Sequence, residues 1–236
     1  MEPFTLIDLI GLGWYVAFWV GFSYLADHSP LRKRTLSSMM NAHRRRWMQT
    51  MARRKLRMVD TAIISGLQNG TAFFASTSLL AIGAGFALLN STELALQITR
   101  DLPLPVETTR TLWEIKALIL ICIYVYAFFK FGWAYRLFNY TSILIGALPY
   151  HEDFEPDHVM VDEQEMVVAI EQVAEMNALA GRHFNLGLRA FFFSLALFGW
   201  FIDPLLLMAA TTFVTGVLIR RQFFSRSNKM AHHLLP

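Results

Sequence analysis

Four stretches of this chain are apolar over lengths that matter. Phe4 to Leu25, Thr61 to Leu89, Trp113 to Gly132 and Asn185 to Arg221 are each rich in Leu, Ile, Val, Phe and Ala, with few charges inside them. About 20 such residues in a helix cross ~30 Å of hydrocarbon. The first three therefore read as membrane spans at about residues 4–25, 61–89 and 113–132. The fourth is too long for one crossing, and a single span there would carry Arg220, Arg221, Arg226 and Lys229 to the outer side. Breaking it at Asp203-Pro204 gives two short spans, 186–202 and 205–219, with Pro at a helix start. Five spans are thus preferred over four.

Between the spans the pattern changes to amphipathic. No proline interrupts the chain between Leu31 and Leu89, so residues 31–58 read as one basic helix running straight into the second span, with Asp60 near the water boundary. Within it Leu36, Met40, His43, Trp47 and Met51 recur at helical spacing, surrounded by arginines. Residues 151–184 form the acidic counterpart. There HEDFEPDH is followed by Asp162 and Glu165, a capping-box spacing, and by an apolar stripe of Val167, Ile170, Val173, Ala174 and Ala180 that ends near Phe184. The expected architecture is one all-α polytopic membrane domain over residues 1–236, with four or five transmembrane helices, the last two as a short hairpin, plus two cytoplasmic amphipathic helices.

Charge fixes the orientation. The chain has 236 residues, 55 % hydrophobic and 17 % charged, and its net charge of +3 conceals a segregation. Ten of its 21 Lys and Arg lie between Arg32 and Arg57, and nine of its 18 Asp and Glu between Glu152 and Glu175. Short basic loops stay in the cytoplasm, so the first span runs from outside to inside and the C-terminus is cytoplasmic. The opening MEPFTLIDLI has no basic region before its apolar run, so the first span is expected to remain uncleaved. The two oppositely charged helices fall on the same side and are expected to pack together, with Arg44, Arg45, Arg46, Trp47, Arg53 and Arg54 as the interaction surface. Anionic lipid headgroups would also attract that surface, whereas nucleic acid is not expected there.

Three further features bear on chemistry. Gly13, Ala17 and Gly21 recur every fourth residue in the first span, a stripe that lets helices approach. The second span holds Ser65, Gln68, Asn69 and Ser76, an intramembrane polar contact, because an unpaired amide in lipid costs several kcal/mol. Lys130 lies near the inner end of the third span, where it can reach the headgroups. Cys122 is the single cysteine, so no internal disulfide or thiolate metal site can form. No HExxH, GxSxG, phosphate-cradling loop or haem attachment motif occurs, and no cofactor or metal is expected.

The segments NAHRRRWMQTMARRKLRMVDTAIISGLQNGTAFFASTS, RLFNYTSILIGALP and AGRHFNLGLRAFFFSLALFGWFIDP resemble an uncharacterised integral-membrane family, domain-of-unknown-function family 599. The likeness covers nearly all of the chain and implies a multi-span protein of the bacterial inner membrane, with no reaction or site to carry over. The family pattern has Gly before the Pro of its last turn, where this chain has Asp203. The function expected is that of a non-enzymatic scaffold or subunit, acting through helix packing and charged cytoplasmic helices as a homo-oligomer or within a larger membrane complex. The alternative is an oligomeric channel or transporter for a small solute or anion along the polar face of the second span.

Overall fold

The structure is a computed structural model that describes residues 4–101, 109–148 and 163–233. Among the described residues all regular structure is helical: α1 (Leu6–Asp27), α2 (Leu36–Ala52), α3 (Met58–Asn90), α4 (Thr92–Asp101), α5 (Arg110–Ala147), α6 (Glu163–Leu197), α7 (Pro204–Phe223) and α8 (Arg226–His233). Single 3₁₀ turns, Pro30–Arg34 and Phe198–Phe201, precede α2 and follow α6. Five of the helices are long and apolar enough to cross a membrane. This is a multi-pass membrane protein, and the helical fold follows from the need of every backbone N–H in hydrocarbon to find its acceptor within its own segment.

Local chemistry sets the ends. Thr5 and Asp8 cap α1 reciprocally, each side chain accepting from the other's backbone N–H. Asp203 caps α7 by accepting from the Leu205 N–H, with Pro204 in the first turn, so the hairpin expected at this dipeptide is present. The extended backbone at Asp203 (φ −157°, ψ 140°) suits any residue.

In space the spans follow the order α3, α5, α6, α7, α1, each packed on the next. Tyr15, Tyr124, Phe131, Phe193 and Trp200 fill the centre. At ~1.5 Å per residue α5 and α6 are roughly 57 and 52 Å long, far beyond ~30 Å of hydrocarbon. The excess builds a second layer at one end, where α2 joins the far ends of α3, α5 and α6. Its core is Met48, Met51, Ile64, Ile145, Val173 and Ala174.

Several sequence expectations need correction. The basic helix and the second span are not continuous. The chain turns at 53–57, and α2 begins only at Leu36, capped by Thr35. Four of those five residues are cationic, and tertiary bonds reward the break. Arg54 and the Trp47 indole both donate to fully buried Asp60, at 2.8 and 2.7 Å. Arg57 gives two 2.7 Å bonds to the carbonyls of Ile145 and Leu148 where α5 ends, satisfying acceptors that a helix terminus leaves open. The buried stripe of α2 is Met39, Met48, Met51 and Ala52, while Met40 is exposed. The acidic helix and the fourth span are one rod, α6; Asp162 and the HEDFEPDH segment lie outside the described residues. The Gly13, Ala17 and Gly21 stripe faces outward, and α7 instead approaches at Gly11, where a Cβ would meet Pro204 and Leu207.

Candidate functional site

Polar residues converge at the end of the bundle that carries α2. Ser29 caps the 3₁₀ turn and Thr35 caps α2, so the chain leaving α1 turns at once and lays the first turns of α2 against α6 and α7. Asp27 ends α1, and across from it Arg189 of α6 is only 5 % exposed. The guanidinium gives both terminal nitrogens to the Asp27 carboxylate, at 2.5 and 2.9 Å, and stacks over the Phe22 ring at 5.3 Å. A planar fork on a carboxylate is the strong form of this pair. Two arms therefore clamp α1 to α6, while the Arg189 Nε is buried without a partner.

Beside the clamp lies a hydroxyl and amide knot. The Ser37 hydroxyl accepts from Asn185 (3.3 Å) and Gln222 (3.1 Å), joining α2, α6 and α7. Asn228 of α8 donates to the backbone carbonyls of Arg34 (2.9 Å) and Gln222 (2.8 Å). Between clamp and knot is a small open cavity of about 30 Å³, walled by Arg32, Arg182, Arg189, Ser38, Asn41 and Asn185, among others. Arg44 stands behind Asn41, its Nη1 2.8 Å from the Asn41 Oδ1, and presses on Gly181, where any Cβ would collide with the guanidinium. Burial pushes its pKa below the ordinary arginine value.

A second polar cluster closes the opposite end. Lys116 of α5 is 3 % exposed, donates to the Trp200 carbonyl at 2.7 Å and sits 5.3 Å over the same indole. The Trp200 Nε1 donates to Asp8 at 2.8 Å. Trp200 thus lies between a cation from α5 and a carboxylate from α1, both of them buried. Among the described residues no group of His, Cys, Asp and Glu is placed to hold a metal.

The family described as "Protein of unknown function, DUF599" matches residues 10–227, a range that takes in both clusters except Asp8 and Asn228. The chain belongs to that family. No curated protein and no solved structure matches it.

In this DUF599 member the residues singled out from sequence divide sharply. Several arginines of the basic segment have partners within the chain, although none is fully buried. Arg45 pairs with Glu171 (2.9 Å) and Glu175 (4.0 Å) of α6, so opposite charges do meet across these helices. Arg44, Trp47 and Arg54 have the internal partners given above, Arg46 is also engaged, and Arg53 is exposed. On α3, Gln68 turns to α5 and donates to Asn139 at 2.7 Å, whereas Ser65, Asn69 and Ser76 face outward with no side-chain hydrogen bond. Sequence reasoning missed Asp8, Asp27, Lys116, Arg182 and Arg189. Apart from Arg182, each has a partner 80 or more residues away, as Asp27 and Arg189 are separated by 162 positions and Lys116 and Trp200 by 84.

Proposed function

We propose that this DUF599 protein is a non-enzymatic scaffold or subunit of a bacterial inner membrane, N-terminus outside and C-terminus cytoplasmic, that works by associating with copies of itself along the outward face of α3. The observation that carries this reading is a mismatch of length. Exposed apolar side chains run along α3 from Met58, Val59 and Ile63 through Phe73, Leu79 and Leu80 to Phe86, and Asn69 interrupts them. The 28 steps from Met58 to Phe86 make roughly 42 Å, against ~30 Å of hydrocarbon. Any ~30 Å of hydrocarbon laid within this run covers Asn69, which has no partner there, and leaves part of the apolar face in water. A second copy packed on this face relieves both. Gly66 and Gly70 leave open space beside Asn69, as helix-to-helix amide and hydroxyl contacts need.

The centre of a single copy is filled by Tyr15, Phe131, Phe193 and Trp200. A channel would therefore need an axis between copies. Purification in mild detergent with mass measurement, wild type beside Asn69→Leu and Gly70→Leu, tests the proposal. Wild type is expected as an oligomer and each variant shifted toward monomer; a monomeric wild type with no co-purifying protein would end this reading. Anion flux into liposomes above background, abolished by Asn69→Leu, would replace it with the channel.

A further inference from the structure

The walls of the cavity beside the Asp27–Arg189 clamp are unbalanced in charge and in hydrogen-bonding capacity. Three guanidinium groups, Arg32, Arg182 and Arg189, face one carboxylate, Asp27, and that carboxylate is already held at both oxygens by Arg189. Arg32 and Arg182 are exposed at the mouth, and among the described residues neither side chain has a hydrogen-bond or ion-pair partner. Arg189 is 5 % exposed and its Nε has no acceptor. Two of the neutral groups tilt the same way, while Asn185, whose amide nitrogen goes to Ser37, keeps its carbonyl oxygen as the free end. Arg44 occupies the carbonyl oxygen of Asn41, leaving the amide nitrogen as the free end, and the Ser38 hydroxyl is unengaged. An ensemble of buried and half-buried donors without acceptors calls for an anion, and arginine forks match the oxygens of a phosphate as they do those of a carboxylate.

We infer that this cavity is a binding site for a phosphate group, held by Arg32 and Arg182 at the mouth with Ser38 and Asn41 beside them, and made electropositive from within by Arg189. The site sits where α1 ends its apolar run at Asp27, the depth at which lipid phosphates lie if α1 spans the bilayer. The same chemistry would take a soluble phosphate from the aqueous side. The inference does not depend on self-association, because the cavity is built from α1, the 3₁₀ turn, α2 and α6 of one chain.

The experiment uses the full chain purified in detergent. One arm measures by native mass spectrometry the retention of phosphatidylglycerol; the other follows the rise of the melting temperature with added inorganic phosphate. Arg32→Gln and Arg182→Gln remove exposed, unpaired side chains and are expected to leave the fold intact, and Ser38→Asp places a carboxylate at the mouth. Arg53→Gln, an exposed cation outside the cavity, is the control. Each cavity variant is expected to weaken binding by about tenfold while the control matches wild type. Loss in the lipid arm identifies a headgroup as the source and loss in the phosphate arm alone a soluble phosphate, and both support the site. Wild type, control and all three cavity variants behaving alike in both arms would overturn it.

Discussion

Arg189 shows how a single residue can hold a bundle together while being invisible in the sequence. Its fork on Asp27 is worth having only while both groups are present, since a buried guanidinium without its carboxylate is strongly unfavourable. Asp27→Ala is therefore expected to lower unfolding stability by about 3–5 kcal/mol, whereas the double replacement Asp27→Leu with Arg189→Met recovers most of the loss. Chemical denaturation in detergent measures both. Gly187 makes a comparable point about space. A Cβ there would lie 2.7 Å from the fully buried ring of Phe131, so Gly187→Ala is expected to cost about 1–3 kcal/mol in the same assay. Neither role is legible from the sequence, because each depends on which residue of a distant helix comes opposite. The basic character of Arg44 to Arg46 is legible at once, yet its use inside the molecule is not.

Among the elements, boundaries written in backbone chemistry were readable and those written in tertiary contacts were not. The hairpin at Asp203-Pro204 follows from a proline that starts a helix and an aspartate that caps it. The break between α2 and α3 has no such local sign. It exists because Asp60 collects Trp47 and Arg54, and because Arg57 reaches the end of α5. Asp60→Ala should free both donors and loosen the five-residue connection that carries Arg53, Arg54 and Lys55. Limited trypsin digestion of the purified protein is expected to cut there several times faster than in wild type, with the spans untouched; equal rates would show that the junction stands without Asp60. The same logic explains why the acidic segment and the fourth span fuse. Nothing between Glu163 and Leu197 is a proline, and α5 offers one continuous surface for α6 to lie on.

At the scale of the whole molecule, the segregation of charge predicts which end faces the cytoplasm. A membrane-impermeant thiol reagent, applied to intact cells carrying Cys122→Ser with a new cysteine at Arg53 or Ser225, is expected to label neither position until the cells are opened. A cysteine at Asp203 should label from outside. Labelling at position 53 in intact cells would reverse the proposed orientation and put the cavity beside the Asp27–Arg189 clamp on the outer side. The number of spans was legible because hydrocarbon thickness sets a length that composition reveals; the two-layer build was not, because hydropathy does not say how far a rod continues past the lipid. One consequence concerns the order of synthesis. The first span's main neighbour is α7, and the indole for Asp8 and the guanidinium for Asp27 arrive with the last third of the chain. At ~5–20 residues per second, the ribosome needs roughly 10–40 s to supply them. Until then a newborn helix waits in the bilayer with a lone carboxylate near either rim, open to whatever else in the membrane can satisfy it.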